Sequence, residues 1–238
     1  MRKVFVEFDL AGAEWVIVAY LAQDPNMIGV VESGVSPHVA TASFATKVPA
    51  ELVLKEEKLL EGCIDPEEIE KVRRTAYPEI FDIATFLPQS KTLRQTFKGA
   101  NHSLNYGLGY KAFALRNGIS EAEAKKIHTL YHQEAYPGIK GTFHKFVQRE
   151  LRTKGYLENC FGRRRDFLSD PGPETFLDAY AHIPQSTVFD VTRLAMVHVY
   201  HEEPDAELIA QDHDAITTQL PPVATLIAET VGRVGAVL

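Results

Sequence analysis

The sequence predicts an α+β fold in which a small antiparallel sheet accompanies a largely helical middle segment. Three observations lead there. Val4-Phe5-Val6-Glu7-Phe8 alternates as a half-buried strand does. A hairpin-like pair at 206–211 and 215–219 lies near the other end of the sequence. Most of what stands between them repeats its apolar residues at helical spacing.

Asp9 closes the first strand, and from Ala11 the period changes to an apolar run over 11–21, rich enough for a buried helix. A carboxylate at that strand end can face a cleft while both flanking elements stay packed. Ser36-Pro37 opens a short helical pattern at 39–45, and the polar stretch through Pro66 and beyond shows no resolvable period. Residues 92–116 read as helices broken by Gly107 and Gly109. Ser120 with Glu123 three places on is a capping box, opening a helix that Pro137-Gly138 ends. Residues 139–153 form another helix, closed by Lys154-Gly155. Tyr156-Leu157-Glu158-Asn159 and Arg165-Asp166-Phe167 flank Phe161-Gly162 as a hairpin would. After a turn-rich break at 169–172, an apolar pattern runs over 174–201; Pro184 interrupts the signal without having to interrupt the helix. Asp212-His213-Asp214 is the tip of the last hairpin.

With 238 residues, 45% hydrophobic and 24% charged, the chain can bury a core in one or two domains. No apolar stretch approaches the roughly 20 residues that span a bilayer, and the N-terminal apolar run is too short for a secretory signal. A soluble, cytoplasmic protein without a membrane partner is the expectation. Cys63 and Cys160 lack CxxC spacing, so neither a disulfide framework nor a zinc knuckle is indicated. A net charge of -7 argues against a protein that envelops nucleic acid. Locally the balance reverses: Lys145, Arg149, Arg152, Lys154 and Arg163-Arg164-Arg165 outnumber their acidic neighbours, while 51–70 is acidic and reads as a solvated face.

Two features carry chemistry. If Asp9 and Asp214 meet across adjacent strands, they can bridge two magnesium ions roughly 3.5–4 Å apart. Turn chemistry accounts for the Asp212-His213-Asp214 tip equally well. Arg94, Lys98, His102 and Tyr106, spaced by four, form one row along a helix, where two cations can take the outer phosphates of a nucleotide and offset charge on departing pyrophosphate. His102 would then lie near the sugar and Tyr106 at the base end. No GxxxxGK[ST], HExxH or GxSxG motif is present.

These residues resemble those of the family A DNA polymerases, the group of bacterial DNA polymerase I and related phage replicases. Asp9-Leu10-Ala11-Gly12-Ala13-Glu14 is similar to the first palm motif, DxSQxE, with Gly12 in place of Gln. Ser36-Pro37-His38-Val39-Ala40-Thr41-Ala42 resembles DxHxxTA, and the segment from Arg94 through Lys98 to Tyr106-Gly107 resembles RxxxKxxNFGxxYG, with His102 where the family has Phe or Tyr. Tyr136-Pro137-Gly138 resembles YPG, and Gly155-Tyr156 with Gly162-Arg163-Arg164-Arg165 resembles GYxxTxxGRRR. Pro184-Gln185-Ser186-Thr187 resembles PxQGTxAD, and His213-Asp214-Ala215 resembles HDE with its second acid removed.

The resemblance implies a palm with a small antiparallel sheet, a largely helical fingers domain and no thumb: palm at 1–35, fingers at 36–168, palm again at 169–238. It implies a DNA-directed DNA polymerase that extends primer-template DNA with deoxynucleoside triphosphates, using two Mg2+ ions held by Asp9 and Asp214. Asp9, Asp214 and Lys98 are then catalytic, and Leu10, Glu14, Arg94, Lys98, His102 and Tyr106 bind nucleotide, Glu14 crowding a ribose 2'-hydroxyl. Gln185, His213, Arg163 and Arg164 contact DNA. In the family a thumb and usually an exonuclease-like domain precede the first palm motif, whereas this chain begins almost at it. Two further readings follow: one piece of a split polymerase completed by a separate thumb or exonuclease polypeptide, or an inactive DNA-binding remnant. If the chain is phage-encoded, the bacterial host cytoplasm is its expected location.

Overall fold

The computed structural model describes residues 2–63, 65–76 and 91–238. It divides into two compact units, one of Met1–Glu14, Tyr156–Asp166 and His182–Leu238, the other of Trp15–Gly155 and Phe167–Ala181. The sequence-derived boundaries at 35/36 and 168/169 both fall inside the second unit.

The first unit is built on a three-stranded antiparallel sheet in the order β1 (Val4–Asp9), β5 (Ala215–Leu220), β4 (Glu207–Asp212). A strand alternates its side chains, so one register settles both faces. Val6 pairs with Thr218 and Phe8 with Ile216, and these residues point to the core. There Phe8 and Ile216 pack with Ala195 and Val199 of the long helix Pro173–Glu202 and with Val234 of the terminal helix Ala224–Val237. Burying each large apolar side chain contributes about 1.5–3 kcal/mol. Phe5, Glu7 and Asp9 alternate onto the opposite, exposed face. A bulge between Leu208 and Ala210 breaks the regularity of edge strand β4. Glu203, almost fully buried, accepts a two-pronged bond from Arg233 (2.6 and 2.7 Å) and ties the terminal helix to the end of the long one.

The second hairpin forms where the sequence indicates, with β2 (Tyr156–Glu158) antiparallel to β3 (Arg164–Asp166). Its turn is organised by buried Asn159, whose Oδ1 accepts the N–H groups of Phe161 (2.9 Å) and Arg163 (3.0 Å). The Asn159 Nδ2 donates to Asp190 on the long helix at 2.8 Å. Pro184 stands inside that helix without ending it.

The second unit is helical. Helices Ala13–Ala22, Pro25–Ser33 and Pro37–Thr46 enclose an aromatic cluster in which Tyr136 meets Trp15 edge-on at 5.6 Å and Tyr131 at 5.1 Å. The Tyr136 hydroxyl bonds Thr41, and the Tyr131 hydroxyl donates to Asn105 Oδ1, both at 2.8 Å. Asp24, with no exposed surface, caps the Pro25–Ser33 helix through Oδ1 and accepts the Gly138 N–H through Oδ2 at 2.7 Å. A Cβ at Gly138 would meet the Ala22 carbonyl oxygen at 2.6 Å, which explains the glycine of Tyr136-Pro137-Gly138.

Two findings depart from the sequence reading. The helices read at 120–136 and 139–153 both carry π-helical stretches, Leu130–Ala135 and Ile139–His144, the first closed by the five-residue bond from Tyr136 N–H to the Tyr131 carbonyl. The acidic run 51–70, read as a solvated face, forms the helix Ala50–Leu59 and enters the helix Pro66–Ala76; within it Glu56 has no exposed surface and pairs with buried Arg73. A buried charge needs a partner, and Arg73 is the one that tertiary contact supplies.

Candidate functional site

The two predicted acids lie at neighbouring strand ends. β1 and β5 pair so that Asp9 stands opposite Ala215, one residue beyond Asp214, and the Leu10 N–H bonds the Asp214 carbonyl at 3.3 Å. Asp9 is exposed and Asp214 half-buried, and neither carboxylate has an ion-pair partner among the described residues. His213, at a left-handed φ of 50°, turns the tip between β4 and β5, and its side chain is almost wholly exposed. A left-handed backbone strains a residue with a Cβ, so the tight two-residue turn carries some strain there. Gly12, at φ 67°, turns the chain from β1 into the helix Ala13–Ala22, three residues ahead of buried Trp15; Glu14 lies between them and is half-buried.

The donor set suits a hard cation, since magnesium takes one or two carboxylates together with substrate phosphates. No group of three or more His, Cys, Asp or Glu side chains placed to hold a metal exists among the described residues. Ala215, where the resembling motif has its second acid, supplies no oxygen.

In the helical unit the row of four falls as spaced. Arg94, Lys98 and His102 lie along the open side of the helix Leu93–Asn105, and Tyr106 is its C-cap, its ring edge-on to His102 at 5.2 Å. The other side, with Leu93, Phe97, Ala100, Asn101 and Leu104, is buried. Thr92 and Gln95 close a capping box at the N-terminus. Two residues without an assigned role join this row. His38, held by Asn101 Nδ2 at 3.1 Å, is pushed down to about 4 by burial and by the positive charges of Arg94 and Lys98. Glu57 accepts from Arg94 Nη1 at 3.2 Å. His38 stands in the Ser36-Pro37-His38 segment that resembles DxHxxTA, which is the signal that marks it; Glu57 is one acid in a run of acids and carries no sequence signal.

The expected DNA-contacting residues belong to the sheet-bearing unit. Gln185 is exposed on the long helix. Arg163 is committed to a two-pronged bond with Asp190 (3.0 and 2.7 Å), which holds the Asp190 carboxyl down at about 2. Arg164 lies over the Tyr156 ring at 3.7 Å and pairs with Asp166.

A sequence model described as DNA polymerase family A matches residues 73–233. The chain belongs to that family. Among its relatives, this family A chain is 26% identical over 227 residues to the thermostable DNA polymerase I of Thermus aquaticus, covering 92% of the chain and 23% of the relative. It is 27% identical over 218 residues to the DNA polymerase of Mycobacterium phage L5, covering 92% and 28%. The chain thus spans about a quarter of the length of these curated relatives. Its fold matches the POL domain of Pol1 from M. smegmatis, solved in complex with DNA primer-template and dNTP. That match has a TM-score of 0.73 and 20% identity, covering the whole of this chain and 37% of the other. A mostly helical fold with two small antiparallel sheets is therefore the palm-and-fingers fold of the family. No helix among the described residues is long and apolar enough to cross a membrane.

Proposed function

We propose that the chain is a template-directed DNA polymerase module that joins a primer 3'-hydroxyl to the α-phosphate of a deoxynucleoside triphosphate and releases pyrophosphate. The sheet-bearing unit is its palm and the helical unit its fingers. The observation that carries the reading is the pairing of β1 with β5, with Asp9 at the end of one strand and Asp214 just before the other. Magnesium ions held by Asp9 and Asp214 would supply Lewis-acid activation of the hydroxyl and neutralise charge on the leaving group.

The chain's own residues then divide the remaining work. Arg94 and Lys98 bind the outer phosphates, and Lys98 offsets the negative charge that accumulates on pyrophosphate. His38, neutral at physiological pH, adds a hydrogen-bonding group to that cluster without further positive charge. His102 and Tyr106 hold the sugar and base end, Leu10 contributes backbone contact, and Glu14 crowds a 2'-hydroxyl. Gln185, His213 and Arg164 contact primer-template DNA, and Arg163 positions the hairpin that carries Arg164. Such an activity belongs in a bacterial or infected-host cytoplasm.

Primer extension with Mg2+ and deoxynucleoside triphosphates tests this, using the chain alone and the chain supplied with a thumb-bearing polypeptide. Asp214→Asn should abolish incorporation while leaving most DNA binding; undiminished incorporation removes Asp214 from the metal site. Ala215, which deletes an acid, favours a second reading as a DNA-binding remnant. DNA binding with no extension under either arrangement would select it.

A further inference from the structure

Resting on the assignment of Arg94 to phosphate, we propose that Glu57 is a positioning residue that restrains Arg94 and competes with the incoming polyphosphate for it. Two consecutive carboxylates of the Ala50–Leu59 helix reach the first turn of the Leu93–Asn105 helix. Glu56 Oε2 accepts the Leu93 N–H at 2.9 Å. Glu57 Oε1 accepts from Arg94 Nη1 at 3.2 Å, and its Oε2 accepts from the Thr92 hydroxyl.

The two acids have different tasks. Glu56 is sealed in the interior, bonded to Arg73 and to one of the backbone donors that a helix start leaves unsatisfied. Glu57 is not needed for that purpose, because Thr92 and Gln95 already cap the helix reciprocally. What Glu57 does is cancel the charge of a guanidinium. The pair is accessible: the side chains of Arg94 and Glu57 are 33% and 21% exposed, so an anion can reach the arginine from solvent. A carboxylate and a phosphate oxygen use the same N–H donors of the guanidinium fork. Triphosphate must therefore displace Glu57 or share Arg94 with it, and Glu57 lowers affinity while keeping the empty site from carrying an uncompensated row of Arg94 and Lys98.

The test is calorimetric titration of the whole chain with inorganic tripolyphosphate and, separately, with Mg2+-dGTP. Glu57→Gln should bind both about two- to fivefold more tightly than the parent, the range that a partly exposed ion pair allows. Glu57→Ala, as a second variant, should do the same. Arg94→Ala should bind less tightly, and adding Glu57→Gln to it should change nothing further, since the acid acts through the arginine. A gain of affinity on removing a side chain is not what a merely structural role produces. Unchanged or weaker binding in both Glu57 variants, with Arg94→Ala still impaired, overturns the proposal for Glu57 alone. Binding insensitive to Arg94→Ala removes the phosphate assignment and this inference with it.

Discussion

Glu56 and Arg73 meet inside the helical unit with Oε1 2.6 Å from Nε and side chains 0% and 1% exposed. The remaining carboxylate oxygen accepts the Leu93 N–H, and Arg73 Nη2 donates to the Lys91 carbonyl at 2.9 Å. The pair thereby joins both helices of the acidic segment to the start of the helix that carries Arg94. Arg73→Leu strands a buried carboxylate and should cost about 3–5 kcal/mol. Adding Glu56→Leu should bring stability back toward the parent, because no buried charge is then left unpaired. Urea unfolding of the two variants measures the difference.

Asp190 is held down at about 2, first by its bonds to Arg163 and then by Asn159. Its pKa in the folded chain lies below the unfolded value near 4. The associated stability is therefore present above pH 4 and is lost as pH falls toward 2. Asp190→Asn should flatten that acid limb and cost about 1–2 kcal/mol at neutral pH, the figure reduced because Arg163 is 41% exposed. Thermal melts across pH 2–7 give both readings.

His132 and His144 are buried in the π-helical stretches, held down at about 2 and about 4, mainly by burial. Both ring nitrogens of His132 lack a hydrogen-bond partner among the described residues, and Lys140, His128 and His144 surround it with further basic groups. Folded values below 6.5 mean that stability is complete above that pH and declines as pH falls through 6.5 toward the folded values. Between pH 7 and pH 5 the loss should be on the order of 1–2 kcal/mol for each ring. His132→Phe should keep the packing and reduce the decline, as denaturant midpoints at the two pH values would register.

Gly138→Ala should be severe although its backbone is ordinary helix. The added methyl would lie 2.6 Å from the Ala22 carbonyl oxygen and 2.9 Å from Asp24, whose carboxylate caps the neighbouring helix. A loss of about 2–4 kcal/mol is expected from overpacking and a disturbed cap. Circular dichroism melting would expose a weaker effect as a failure of this account.

Much of the fold was legible because it rests on local signals. Alternation around Phe8 and Ile216, the Ser120–Glu123 capping box and the Phe161-Gly162 turn each act within a few residues, and each forms as read. The continuous helix through Pro184 was legible for the same reason, its apolar period resuming on the far side. The π-helical stretches were not, since one extra residue in a turn barely alters a hydrophobic period. The burial of Glu56 has no local signal, because an acidic run is solvated unless a distant arginine enters it, and Arg73 is 17 residues away.

By itself the sequence determined the strands and most of the helices, the four-residue spacing of Arg94, Lys98, His102 and Tyr106, and the family to which these residues belong. Tertiary structure alone decided that Asp9 and Asp214 stand at neighbouring strand ends, that Arg163 is spoken for by Asp190, and that Glu57 neutralises Arg94. The physical reason is range. Periodicity and capping are written in adjacent residues, whereas strand register and ion pairing depend on which distant segments the core draws together, and a chain of letters does not contain those distances.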